Sequence, residues 1–348
     1  MRKFKKIFVV LMVLTLMFAL VACSNSTNAG SSGETKQETK QVKVKFAHWF
    51  AEDHPQHLAL LKFKELIEQK SNGNMVVEIY PNSQLGSEDT FIDSVKAGTV
   101  EMGAPGTMLS KFDPQIAASE LPFLFNGWED AKAVYTGEVG QYITKNLPEK
   151  AGLRCLAITV NGFRQFSSNK SMMSIEEMAG QRFRVPNVPH FLKMVEALNA
   201  NPIAMPLTEV FTALEQDVVD GQENPYATIQ TSSMYEVQKY VLESNHMFSP
   251  SHWVINEEFY QELTDEQKEV LNSSIKEAAE YNWTISAEAN DKSKQFLKNK
   301  NVTVIETDDA FKQALVDTQE PVYDWFYGNY PGSEEVVKMV RDLQANLK

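Results

Sequence analysis

The sequence predicts an α/β fold built in two domains, from three observations. Strand-like and helix-like segments alternate along the chain from Val42 onward, the pattern of βαβα proteins. After Cys23 there is room for roughly 310 folded residues, more than a single core of ordinary size uses. Finally, Thr264 opens a stretch that runs to about Lys298 without a Gly or Pro. As one helix this would span roughly 50 Å, longer than one small domain is wide, so it is expected to run across both.

The elements follow in order. Val42 to Ala47 alternates as a strand. Leu58, Leu61, Phe63, Leu66 and Ile67 recur at near-helical spacing, and Ser71-Asn72-Gly73 ends that helix. Met75 to Tyr80 is a second strand, stopped by Pro81, and a helix through Phe91, Ile92 and Val95 closes at Gly98. Leu153 to Ile158 reads as a strand with Arg164 just past it. Ser174 and Glu177 pair as a capping box for a short helix ending at Gly180. Arg182 to Val185 is a strand ended by Pro186. His190 to Asn199 is a helix, and Thr208 is expected to cap the next, which runs to about Gln216. Asp220-Gly221 reads as a turn. Thr264 with Gln267 caps the long helix. This alternation predicts mainly parallel sheets.

The N-terminus sets the compartment. Arg2, Lys3, Lys5 and Lys6 precede an apolar run from Ile7 to Ala22 that is short for a membrane span. Small residues then lead to a cut site, as in a secretory signal over residues 1–22. The string Leu20-Val21-Ala22-Cys23 resembles the bacterial lipobox, which makes Cys23 the candidate lipidation site. The alternative is an ordinary signal with Cys23 incidental. Residues 23–40 are almost devoid of apolar side chains and read as a flexible tether between the membrane and the folded body.

Charge narrows the partners. The chain carries a formal charge of -13, and the first 22 residues hold four basic and no acidic residues, so their removal leaves -17. Nucleic acid and anionic lipid are excluded as electrostatic partners, and any anion site must concentrate positive charge locally. Cys155, the second of the two cysteines, lies in a strand and reads as a buried small residue rather than a reactive thiol. The sequence has no nucleophile elbow, phosphate loop, zinc-protease helix or dinucleotide fingerprint. His54 and His57 stand near Glu52 and Asp53, but no second cluster completes a metal shell. No cofactor or metal is called for, and the chain reads as a binding protein rather than an enzyme.

The cations are more informative. Arg164 follows Val160-Asn161-Gly162-Phe163, and Arg184 precedes Val185-Pro186-Asn187. Strand ends of α/β sheets face ligand crevices, and a guanidinium fork matches a carboxylate. In so acidic a chain these two arginines are anion-receptor candidates, with surface ion pairs as the alternative.

At these residues a family resemblance emerges. Asn161-Gly162-Phe163-Arg164-Gln165, Gly180-Gln181-Arg182-Phe183-Arg184-Val185-Pro186-Asn187 and Val219-Asp220-Gly221-Gln222-Glu223-Asn224-Pro225 occur in this order. With Tyr80-Pro81-Asn82-Ser83-Gln84-Leu85-Gly86 and Tyr235-Glu236-Val237-Gln238-Lys239, they resemble the solute-binding subunits of TRAP (tripartite ATP-independent periplasmic) transporters. The resemblance implies a two-lobed periplasmic-binding-protein-like fold, a cleft that closes on ligand, and a long helix spanning both lobes. Residues 41–161 and 250–288 are expected to form lobe 1, and residues 162–249 and 289–348 lobe 2.

The same resemblance makes Arg184 the main partner of a ligand carboxylate and Arg164 a second cation. Asn224 corresponds to a contact near the carboxylate, and His246 to a cleft position. Sialic-acid-binding members carry an aromatic residue at the position of Leu207 and a small polar one at Trp49, so this chain departs from them. Trp49, with Glu88 across the cleft, suits a hydroxylated ligand body, although Trp49 is also explained by lobe packing. The expected ligand is a sugar acid such as a uronate or aldonate, with a C4-dicarboxylate as the alternative. The expected partners are the small and large membrane permease subunits, and the expected location is outside the cytoplasm, anchored by lipid at the membrane face. A ligand sensor that presents its closed form to a signalling receptor is the other role open to this fold.

Overall fold

The computed structural model describes residues 41–347. The signal over residues 1–22, the tether over residues 23–40 and the lipidation candidate Cys23 lie outside the described residues. The strands are β1 (Val42–Ala47), β2 (Met75–Tyr80), β3 (Met102–Gly103), β4 (Leu153–Ser168), β5 (Arg182–Val185), β6 (Asn201–Ala204), β7 (Gly221–Pro225), β8 (Tyr240–Asn256) and β9 (Thr303–Glu306). The helices that matter below are α1 (Pro55–Lys70), α2 (Glu88–Lys96), α3 (Pro189–Ala197), α4 (Asp265–Asn299) and α5 (Glu334–Asn346).

The strands join in one sheet of order β2-β1-β3-β8-β4-β7-β5-β6, with β9 also on β8. The sheet is mixed rather than mainly parallel. Its outer pairs β1–β2, β1–β3, β5–β6, β5–β7 and β8–β9 are parallel, but β3–β8, β4–β7 and β4–β8 are antiparallel. Alternation of short elements reveals the parallel ends and conceals the centre, because β4 and β8 are 16 and 17 residues long. These two ribbons tie the lobes together. The β1–β3 end joins the last residues of β8, whereas β7 and β9 join the other end of the pair, at residues 164–168 and 240–243. Arg164 therefore lies within a strand and not beyond it.

The long pair is broken by register shifts between Cys155 and Ala157, Val160 and Gly162, and Arg164 and Phe166. At the second, α4 supplies what the ladder omits. Asn282 Oδ1 accepts from the Val160 amide at 2.7 Å, and Ser286 Oγ donates to the Val160 carbonyl at 3.2 Å. Trp283 Nε1 donates to the Ile158 carbonyl at 3.1 Å. Buried backbone groups without partners are costly, so these side chains fix the long helix at the crossing of the lobes. The helix runs for 35 residues, with the predicted capping box of Thr264 and Gln267 in place.

One core packs Val44, Phe46, Leu60, Phe63 and Ile67 with Trp253, Leu271 and Ile275, joining β1, α1, β8 and α4. A second gathers Val210, Leu214, Val219, Ile229, Val241 and Leu297 around the opposite end. The C-terminal helix α5 packs beside residues 114–144, where Gln344 Nε2 donates to Leu124 O and to Asp130 Oδ2 at 2.9 and 2.6 Å.

Two local expectations change. Thr208 sits inside a 3-10 turn at Leu207–Glu209, and the helix Val210–Glu215 begins without a side-chain cap. Gly221 starts β7 instead of a turn. A side chain there would meet Ser167 O at 2.1 Å, so close approach to β4 is what demands glycine. Cys155 is partly buried, its thiol donating to Ala157 O at 3.4 Å. Burial pushes that thiol up to about 12, which keeps it protonated and unreactive.

Candidate functional site

A narrow cleft lies where both lobes meet the β4–β8 ribbons. Trp49, Glu88, Gly106 and Thr107 line it from the β1–β3 end. Arg184, Pro186, Leu207, Thr208 and Asn224 line it from the β5–β7 end, and Arg164 and Ser249 come from the ribbons themselves. Five of the six residues singled out in the sequence thus stand around one space.

The two arginines, equivalent as sequence candidates, differ in their commitments. Arg164 is buried and heavily engaged, with one Nη1 proton left over. Its Nε donates to Glu223 Oε2, and its Nη2 donates to Glu223 Oε1 at 2.8 Å and to the Glu223 carbonyl at 2.7 Å. The same Nη2 lies 3.3 Å from Asn224 Oδ1, Nη1 donates to Ser249 Oγ at 3.2 Å, and the guanidinium stacks on Phe191. Arg184 is also buried, but Nε and Nη2 both donate to a single acceptor, Met205 O, at 3.0 and 2.8 Å. This bifurcated bond locks the guanidinium plane and leaves Nη1 without a protein partner. Burial draws Arg184 down to about 10, with nearby Arg164 adding to the shift and Glu223 and Glu88 opposing it, so it stays charged at neutral pH. Arg184 is therefore the less committed of the two cations.

Glu223, which sequence reasoning missed, is the buried counter-charge of the pair. Burial pushes its carboxyl up, but Arg164 and His246 outweigh burial and hold it below the usual range. His246 is not among the lining residues. Its ring stacks on Phe166, Nδ1 lies 2.8 Å from Ser244 Oγ, and Nε2 lies 3.3 Å from Glu223 Oε2. It backs the site through Glu223 instead of facing the cleft. Nothing in the local sequence marks Glu223 as the partner of Arg164, because the two are 59 residues apart and meet only through the pairing of β4 with β7.

The opposite wall is rich in acceptors. Glu88, in the first turn of α2, accepts from the amides of Gly106 and Met108 at 2.7 and 3.1 Å through Oε1, which leaves Oε2 uncommitted. Burial pushes its carboxyl up to about 7, with Asp89 and Glu120 adding to the shift and the two amide bonds opposing it. Thr107 Oγ1 donates its proton to buried Glu120, so toward the cleft it can only accept. Trp49 stacks on Phe50 at 3.7 Å, and its buried Nε1 has no protein partner. It therefore offers both an apolar face and an N–H donor.

His54 and His57 serve other ends. His54 Nδ1 accepts from the Gln56 amide at the start of α1, and its Nε2 lies 3.0 Å from Asn161 Oδ1. His57 Nδ1 lies 3.1 Å from His48 Nε2.

The family model described as bacterial extracellular solute-binding protein, family 7 (DctP), matches residues 46–329. The chain belongs to this family. Among solved structures, a TRAP periplasmic solute-binding protein from Haemophilus influenzae with bound L-gulonate is similar, with a TM-score of 0.84 and 36% identity, covering 87% of this chain and 100% of that one. The sugar-acid-binding protein of Advenella mimigardefordensis in complex with galactonate matches with a TM-score of 0.85 and 30% identity, over 89% and 99% of the two chains. A C4-dicarboxylate-binding periplasmic protein of Rhodobacter capsulatus is 32% identical over 81% of this chain and 86% of its own. This family 7 protein is a solute-binding subunit of the TRAP type, works outside the cytoplasm, and has a two-lobed fold. Among the described residues, no helix is long and apolar enough to cross a membrane.

Proposed function

We propose that this family 7 protein captures a polyhydroxylated monocarboxylate, a sugar acid of the aldonate or uronate kind, and hands it to a membrane permease. The observation that supports this reading is the polarity of the cleft. The uncommitted donor, Arg184 Nη1, serves one end, and the uncommitted acceptors, Glu88 Oε2 and Thr107 Oγ1, serve the other. A carboxylate needs donors and a hydroxyl chain supplies donors, so a sugar acid satisfies both ends. Trp49 offers its face to the C–H surface between them. The relatives with bound L-gulonate and galactonate support the same ligand class. Closure of the lobes would exclude water and strengthen the ion pair to Arg184. Anchoring to the membrane through Cys23 rests on the sequence alone.

A panel of thermal melts tests the class. A ligand at 100 times its Kd stabilises by about 2.7 kcal/mol, roughly 4 °C for a protein of this size. Such shifts are expected with aldonates or uronates and not with neutral sugars. Shifts with neutral sugars alone would mean that the arginines are structural.

The raised Glu88 carboxyl favours one second reading. When protonated, Glu88 can donate to a second carboxylate, as a C4-dicarboxylate requires. The pH dependence separates the two. If a dicarboxylate is the ligand, affinity must fall as pH rises through about 7 and Glu88 ionises. For a sugar acid, affinity is expected to change little between pH 6 and 8, and isothermal titration at both pH values reads the difference. Stability carries its own signature. Between about 4.5 and 7 the unfolded carboxyl is ionised while the folded one keeps its proton, so this group erodes the stability of the unliganded protein as pH rises through that window. Glu88→Gln is therefore expected to raise Tm at pH 8, to change it little at pH 4.5, and to weaken sugar-acid binding. A variant melting lower than wild type at pH 8 would contradict the burial of an ionised Glu88.

A further inference from the structure

Behind Thr107 lies a group of buried polar side chains that the site as described does not use. Glu120, His190 and His252 are each at most 2% exposed. Glu120 takes the Thr107 proton through Oε2, and His190 Nε2 stands 4.0 Å from that same oxygen. Glu120 Oε1 and His190 Nε2 have no hydrogen-bond partner in the protein, and the His252 ring has only the Pro105 carbonyl within reach, without good hydrogen-bond geometry. Buried polar atoms are nearly always satisfied, and this many under-satisfied groups in one neighbourhood signal a polar group that enters from elsewhere. Burial holds the His252 ring down at about 4, with the charge of Glu120 and the Pro105 carbonyl opposing, so at neutral pH it has one donor and one acceptor.

The chemistry of this recess is specific. An anion would face the Glu120 carboxylate, with Glu88 close enough to act on the same field. A cation would need a ligand shell, and no group of three or more His, Cys, Asp or Glu among the described residues could hold a metal ion. A hydroxyl fits, because it donates to Glu120 Oε1 and accepts from an imidazole N–H. We propose that Glu120, His190 and His252 form a hydroxyl-reading recess behind Thr107 that sets the preferred length of the ligand's polyol tail. The hydroxyl comes either from the tail itself or from water that the tail organises. This inference rests on the sugar-acid reading above and goes beyond it by assigning chain-length selectivity to residues outside the cleft wall.

The test compares a six-carbon with a four-carbon aldonate by isothermal titration on full-length protein. Wild type is expected to prefer the six-carbon acid by tenfold or more. Glu120→Gln and His190→Phe are each expected to cut that preference below threefold, by weakening the longer acid while the shorter one holds within twofold. His190→Phe also removes a buried orphan nitrogen beside Phe191 and Phe326, so unliganded Tm is expected to hold or rise. Direct contact and water mediation separate with a six-carbon acid lacking its terminal hydroxyl. If the tail itself is read, this acid binds wild type like the four-carbon acid. If water is read, it keeps most of the preference, and both variants still abolish it. Equal weakening of long and short acids, or an unchanged preference in both variants, would overturn the recess. If wild type binds neither acid, the sugar-acid reading itself fails, and the recess falls with it.

Discussion

Arg184→Lys is expected to weaken binding of the acid by roughly 100-fold or more, equivalent to about 3 kcal/mol. The size of the effect follows from geometry. The wild-type guanidinium spends Nε and Nη2 on Met205 O and keeps Nη1 without a protein partner, free for the acid. An ammonium has one nitrogen and cannot serve both at fixed separation. A lysine at so buried a position would also shed its charge readily. Titration of wild type and variant with the best sugar acid checks this, and affinity retained within a fewfold would remove Arg184 from the receptor. Arg164 already commits its Nε and Nη2 to Glu223 and Asn224, and one Nη1 proton to Ser249, so it is expected to compensate only in part.

The second large effect is on stability. Glu223→Gln leaves the Arg164 guanidinium buried beside a neutral amide. Breaking a buried ion pair from one side costs about 3–5 kcal/mol, so Tm is expected to fall by roughly 5–8 °C in the unliganded protein. The pH dependence confirms the cause. A carboxyl held below its ordinary value contributes stability that is present above that value and lost as pH falls through the folded value. The gap between wild type and variant should therefore be widest at neutral pH and close in acid. A gap independent of pH would mean that Glu223 acts through packing and not through its charge.

Much of this architecture was legible in the sequence because local chemistry specified it. The strands Val42–Ala47 and Met75–Tyr80 and the capping box at Thr264 emerged as predicted. Arg184 also lies near the end of its strand. Ser174 caps its short helix, but the predicted capping box is only half formed, because Glu177 Oε2 accepts from Ser171 Oγ and Met173 N instead. Local signals missed what depends on distant partners. A 16-residue strand with three register shifts reads as a short strand followed by loop, so Arg164 was expected beyond the strand that contains it. The antiparallel centre of the sheet was hidden for the same reason. The site residues Trp49, Glu88, Arg164, Arg184 and Asn224 were drawn together largely through family resemblance. Glu223 and Met205 entered only with the fold, because one is a buried counter-charge and the other acts through a backbone carbonyl. His246 matches a cleft position by resemblance but stands one layer behind the wall, in contact with Glu223.

The most direct test is a crystal structure of the protein with a six-carbon aldonate bound. The expected result is a closed cleft with the carboxylate on Arg184 Nη1, the carbon chain against Trp49, and the hydroxyls directed to Glu88 and Thr107. A carboxylate placed on the Glu88 side, or an acid bound away from both arginines, would contradict the assignment.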